Sequence, residues 1–169
     1  DYIKSGDFAT EKHVPVIETV DTVKAGETFH VTLSVGKDIA HPNTVEHHIE
    51  WIKLYFVAEG TQLPFEVGEI SFNVHGDGAT ANEGPVHAIS EGSLAVSLNK
   101  SGKLIAVSYC NIHGLWESEK EITILIITEI IMLKLCPHSK EFCFCIVDKL
   151  PYIPLQCYLF VVKYMHIDF

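Results

Sequence analysis

Lys103-Leu104-Ile105-Ala106-Val107-Ser108-Tyr109-Cys110-Asn111-Ile112-His113-Gly114 is an alternating run that ends in a loop. Lys103–Tyr109 has the period of two expected of a strand. Cys110 then falls at the strand end, and Asn111 to Gly114 make a tight turn. The same period governs Thr28–Val35, where Phe29, Val31, Leu33 and Val35 share one face and Thr28, His30, Thr32 and Ser34 the other. Successive side chains of a strand point to opposite faces, so such a segment buries one face and wets the other.

Working outward, five further runs are rich in Val, Ile, Thr and aromatic residues: Val14–Val20, His48–Ala58, Phe65–His75, Ser93–Leu98 and Glu119–Ile127. These are strand formers. Turn signals separate the runs, among them Lys24-Ala25-Gly26-Glu27, Gly76-Asp77-Gly78 and Lys100-Ser101-Gly102. No window shows helical periodicity. Seven strands at this spacing predict an all-β, immunoglobulin-like β-sandwich.

The chain has 169 residues and a formal net charge of −10, and its 12 basic residues are all Lys. An acidic surface without Arg excludes a phosphate-backbone partner, so no nucleic acid is expected. Residues 1–122 hold 18 acidic residues and 8 Lys, whereas residues 123–169 hold 4 of each. All 11 Gly precede residue 115, and four of the five Cys follow residue 135. A domain over residues 1–125 and a C-terminal tail over 126–169 are expected from this break. No signal-peptide pattern opens the chain, and the domain has a single Cys, so a cytoplasmic protein without an internal disulfide is expected.

Cys110 and His113 sit three residues apart on one short loop, which turns a thiolate and an imidazole to the same side. Two more clusters lie upstream, Glu11-Lys12-His13-Val14-Pro15 and His41-Pro42-Asn43-Thr44-Val45-Glu46-His47-His48. Pro42 and Asn43 make a turn, so His41 and His47 can approach one centre from two sides of a loop. His47 and His48 are adjacent and point apart if the segment is extended.

These three motifs, in this order, resemble the iron site of the superoxide reductases, the family of neelaredoxin and the catalytic domain of desulfoferrodoxin. The resemblance spans about residues 1–122. It implies the same sandwich fold and a mononuclear non-haem iron, Fe2+/Fe3+, with His13, His41, His47 and His113 as equatorial ligands and Cys110 as the axial thiolate. It implies one-electron reduction of superoxide to hydrogen peroxide at the open sixth position. It gives Lys12 the roles of steering the anion and assisting protonation, and lets Glu11 occupy the sixth position in the oxidised form. The resemblance implies that the first of the two adjacent His is the ligand, which leaves His48 to the core or to the surroundings of the site. Backbone N–H groups of Asn111 to His113 are expected near the sulfur. Some members carry an extra N-terminal domain with a four-Cys iron centre. No Cys precedes Cys110, so that centre is expected to be absent and electrons to come from a separate rubredoxin-like carrier. The resemblance also implies a homo-oligomer, a tetramer.

Two alternatives stay open from the residues alone. A blue-copper-like electron carrier uses His, Cys and His on late loops of a β-sandwich, often with an axial Met. Here the first Met is Met132, far beyond the loop, and the candidate imidazoles are too many. A structural zinc site would take four tetrahedral ligands and no open position. His30, His75, His87, His138 and His166 keep the ordinary reading of surface or core residues. The tail contains Cys136, Cys143, Cys145 and Cys157 without metal-knuckle spacing. Its longest apolar stretch, Ile122–Leu133, carries Glu129 and is shorter than the ~20 residues of a membrane span, so no membrane partner is expected. Its Gly-free, Ile-, Lys- and Cys-rich mixture is also what translation of a shifted frame in A/T-rich DNA yields. A native tail and a non-native or poorly ordered one both remain open, and no function is assigned to it.

Overall fold

The computed structural model describes residues 2–126, 130–132 and 144–146. The chain divides into two compact units, Asp1–Leu125 and Ile126–Phe169. In the first, the strands are β1 (Lys4–Ser5), β2 (Pro15–Glu18), β3 (Thr22–Lys24), β4 (Thr28–Val35), β5 (Ile49–Ala58), β6 (Pro64–Ser71), β7 (Glu91–Ser97), β8 (Gly102–Cys110) and β9 (Gly114–Leu125). In the second, β10 (Ile130–Met132) and β11 (Phe144–Ile146) pair antiparallel. The expectations placed on Ile127, Cys136, His138, Cys143, Cys157 and His166, and the question of a native tail, lie outside the described residues. No helix among the described residues is long and apolar enough to cross a membrane.

The larger sheet of the first unit runs β9-β8-β5-β6, and β1 and β3 both add to β9 in parallel at Trp116–Glu117 and Thr123–Leu125. The smaller sheet is β2-β4-β7, antiparallel throughout. Val31 and Leu33 of β4, Ile52 and Leu54 of β5, and Leu104 and Ala106 of β8 are all fully buried in one apolar cluster shared by the two sheets. Each such Val, Leu or Ile side chain contributes about 1.5–3 kcal/mol by leaving water. That shared core makes the unit a β-sandwich, as its period-two runs predict.

The seven expected strands are all present, Thr28–Val35 as expected and the other six with shifted ends. The last one begins at Gly114 instead of Glu119 and so forms a hairpin with β8 directly after the Cys110–His113 turn. The run expected to reach His75 stops at Ser71. Beyond it His75 makes only an isolated bridge with His87. The short strands β1 and β3 bring the count in the sandwich to nine.

In β5, Ile49 pairs with Cys110 but Trp51 pairs with Tyr109, which leaves Glu50 as an extra residue. This β-bulge switches the inward positions from odd to even, so that Ile49 and then Ile52, Leu54 and Phe56 all face the core. It sits just after the His47-His48 pair, at the end of the sandwich where the loops before β2, between β4 and β5, and between β8 and β9 gather.

Candidate metal centre

Each loop at this end is shaped by identifiable residues. Asn111, Ile112 and His113 join the paired residues Cys110 and Gly114, and Gly114 takes φ 79°, the left-handed residue that a three-residue hairpin loop needs. Gly36 turns the end of β4 at φ 83°, where a Cβ would stand 2.6 Å from the backbone nitrogen of His41. Thr44 and His47 exchange backbone hydrogen bonds at 3.0 and 3.2 Å, closing the turn that carries His47. The Ser108 hydroxyl, fully buried, donates to the carbonyl of His13 at 3.1 Å and so ties the first loop to β8.

One donor atom each from His13, His41, His47 and Cys110 lies within 4.8 Å of all the others. His13 and Cys110 are buried, and His41 and His47 half-buried. His113 joins them through Nδ1, which is 2.9 Å from His13 Nε2 and 3.5 Å from Cys110 Sγ. Its ring is exposed, so the cluster opens to solvent on that side.

The outward ring nitrogens of His13 and His41 are occupied. His13 Nδ1 lies 2.5 Å from Glu11 Oε1, and His41 Nδ1–H donates to the carbonyl of Pro42 at 2.6 Å. Those bonds fix the tautomers that leave Nε2 bare and aimed inward. The Nε2 atoms of His41 and His47 are buried and have no hydrogen-bond partner among the described residues. Two buried orphan nitrogens facing a thiol and two more imidazoles fit a metal ion, since a buried polar atom without a partner costs about 1–3 kcal/mol.

The electrostatics point the same way. Burial holds the His41 pKa down at about 4, and burial also lowers those of His13 and His47. The neutral, ligating form is therefore the stable one near neutral pH. The hydrogen bond to His13 lowers the pKa of Glu11, keeping it a carboxylate. Lys12 is half-buried, and its charge adds to the lowering at His13, His41 and His47. It forms no ion pair among the described residues.

The two non-ligand expectations land differently. Lys12 lies within electrostatic reach of the cluster. Glu11 is bonded to the outer edge of His13 through both its ring and its backbone N–H, the latter at 3.2 Å. In this structure it orients an imidazole instead of facing the open side. Of the N–H groups expected near the sulfur, that of His113 reaches it at 3.4 Å, while that of Asn111 goes to the carbonyl of His48 at 3.2 Å.

Sequence reasoning passed over Asn111, which staples two ligand loops together. Its Oδ1 accepts from the N–H of His48 at 3.0 Å, and its Nδ2 donates to the carbonyl of Glu46 at 2.9 Å. Trp116 was also missed. Its ring stacks on His13 at 5.1 Å and 14°, with the Lys4 ammonium 5.2 Å from its centroid. A polar side chain adjacent to each suspected ligand was the available signal for Asn111; Trp116 carried none.

The model of the family described as Desulfoferrodoxin matches residues 5–119. The chain belongs to the desulfoferrodoxin family. Neelaredoxin of Megalodesulfovibrio gigas is 49% identical over 125 residues, covering 73% of this chain and 96% of the relative. Superoxide reductase of Pyrococcus furiosus is 48% identical over 118 residues, covering 69% and 93%. Among solved structures, the superoxide reductase (neelaredoxin) of Archaeoglobus fulgidus in its reduced form is 44% identical with a TM-score of 0.67, covering 73% of this chain and 99% of that one. The desulfoferrodoxin-family match holds every clustered donor: His13, His41, His47, Cys110 and His113 all fall inside it.

Proposed function

We propose that this chain is a superoxide reductase, an oxidoreductase that adds one electron and two protons to superoxide and releases hydrogen peroxide. The convergence of four imidazoles and one thiol on a single point, two of the imidazoles with orphaned inward nitrogens, carries this reading. Mononuclear non-haem iron suits these donors, with Nε2 of His13, His41 and His47, Nδ1 of His113 and Sγ of Cys110 as its ligands. Bound there, iron would supply one-electron redox chemistry toward a small anion, and a thiolate donor would favour giving that electron away.

The remaining work falls to the chain. Glu11 holds His13 in its ligating tautomer. The N–H of His113 withdraws charge from the sulfur, which tunes how readily the electron leaves. Lys12 offsets the −10 charge locally and draws the anion in. Its ammonium, close enough to lower the pKa of three of these imidazoles, is a candidate to place a proton. The electron source is a separate rubredoxin-like carrier, the working form a homo-oligomer, and the compartment the cytoplasm.

Metal analysis with optical spectroscopy tests the proposal. Purified protein should hold about one iron per site, turn blue on oxidation, and consume superoxide without evolving dioxygen. Stoichiometric zinc or copper in protein that cannot be loaded with iron would refute it.

A further inference from the structure

The chain between β6 and β7, Phe72 to Ser90, is long and carries no ligand, yet it grips the ligand loop. It closes on itself through the N–H of Ala88 bonded to the carbonyl of Val74 at 2.7 Å and that of Asn82 to the carbonyl of Gly76, also at 2.7 Å. Gly76 has φ 89°, and a Cβ there would stand 2.7 Å from Asn82 Cα and 2.8 Å from the His87 ring. The crossing therefore needs glycine.

Two pegs leave this loop for the segment between His41 and His47. The first is His75, buried and stacked on His48 with ring centroids 3.7 Å apart at 4°. Its Nδ1 faces Asn43 Oδ1 at 2.8 Å, and its Nε2 faces the carbonyl of Phe72 at 2.8 Å. Asn43 is locked in that orientation because its Nδ2 donates to the carbonyl of Ala88 at 2.5 Å. The second is Asn82. Its Oδ1 accepts from the N–H of Val45 at 2.8 Å, and its Nδ2 donates to Glu46 Oε2 at 3.0 Å.

Asn82 holds φ 65°, the sole left-handed residue other than glycine among those described. That conformation costs a residue with a Cβ about 1–2 kcal/mol and persists where the surroundings over-determine it. Here backbone and side chain together contact Gly76, Val45 and Glu46. The ligand loop's own backbone–backbone bonds, by contrast, span only Thr44 to His47. Its spacing from His41 to His47 is therefore set from outside.

We propose that the Phe72–Ser90 loop is a brace that fixes the separation of His41 and His47, with His75 and Asn82 as its positioning residues. This rests on the reading of those two histidines as metal ligands. Neither peg touches the donor cluster, so their effect passes through Asn43, Val45 and Glu46.

Asn82→Gly separates the side chain from the backbone, because glycine keeps the left-handed turn while losing both side-chain bonds. Asn82→Asp keeps the acceptor for Val45 and loses the donor to Glu46. His75→Gln removes the stack on His48. In iron-loaded full-length protein, Asn82→Gly should release iron to a chelator about tenfold faster, within the range of outer-shell changes at metal sites. Its oxidised absorption band should shift, Asn82→Asp should fall between it and the parent, and metal-free thermal unfolding should hardly move. A merely structural loop would shift unfolding and leave the band in place. If the parent takes up no iron, the ligand reading falls, and the brace with it. If the parent takes up iron and Asn82→Gly matches it in release rate and band, the brace alone is overturned, whether or not His75→Gln folds.

Discussion

The two ends of β8 solve opposite problems. At the Gly102 end, Leu104 and Ala106 are fully buried, and the outward Lys103 pairs with Glu119 at 3.0 Å and Glu121 at 3.6 Å across the hairpin. A Cβ on Gly102 would stand 2.3 Å from the carbonyl of Val57, so the strands close without a gap. Apolar side chains there lie inside and charged ones outside, and the Ser101 hydroxyl accepts from the N–H of Ile124 at 2.9 Å. At the Cys110 end the inward positions hold a thiol and imidazoles, and the Nε2 atoms of His41 and His47 have no hydrogen-bond partner among the described residues. One end is complete as folded. The other keeps unmet valence, with hydrogen bonds on the far side of the His13 and His41 rings orienting two of its donors.

Four substitutions would break or sharpen that contrast. The largest effect belongs to Cys110→Ser. It should abolish the blue oxidised band and most reductase activity, because the thiolate is the electron-rich donor; a retained band would mean that sulfur from elsewhere is the ligand. Next is Leu54→Ala at the complete end. It should cost about 2–5 kcal/mol in urea unfolding while the folded fraction still takes up iron. Iron lost in step with stability would show that the two ends are not separable. Lys12→Ala should slow the reaction with superoxide by roughly tenfold at low salt, an effect that shrinks as ionic strength rises. Stopped-flow rates equal to the parent's at low salt would remove Lys12 from steering. The smallest effect is expected for Lys103→Ala, no more than about 1 kcal/mol, because exposed ion pairs are weak. A larger loss by thermal unfolding would mean that the Gly102 end depends on charge after all.

The legible part of the fold was what alternation records. Thr28–Val35 matches β4 residue for residue, because one face is core and the other solvent. Gly114–Ser118 was missed because that half of β9 runs past the metal end, where Trp116 and Ser118 are only half-buried and polar groups face inward. The two- and three-residue strands β1 and β3 have no pattern to show; β9 makes them strands by offering its edge. At the site, His13, His41, His47 and Cys110 could be nominated because ligand chemistry restricts residue type. Asn43, His75, Asn82 and Asn111 could not, since the loops they tie together lie 32 to 65 residues apart, as with Asn43 to His75 and Glu46 to Asn111. Glu11, which the resemblance lets occupy the sixth position in the oxidised form, is here bonded to the outer edge of His13, and residue type does not decide between those two sites.

The extra residue at Glu50 has a bearing on how this chain tolerates length changes. Deleting one residue from the exposed turn at Thr61-Gln62 would shorten a connection and leave both neighbouring strands in register. Deleting Glu50 would restore an unbroken two-residue rhythm across β5, and the rhythm can then satisfy only one side of the gap. If Ile52, Leu54 and Phe56 stay inside, Ile49 and the histidines before it rotate by half a turn; if those hold, the core strand turns inside out. A single codon lost at that point would therefore be felt at both ends of the sandwich at once. Insertions and deletions should be far rarer between His47 and Ile52 than in the hairpin turn a dozen residues on.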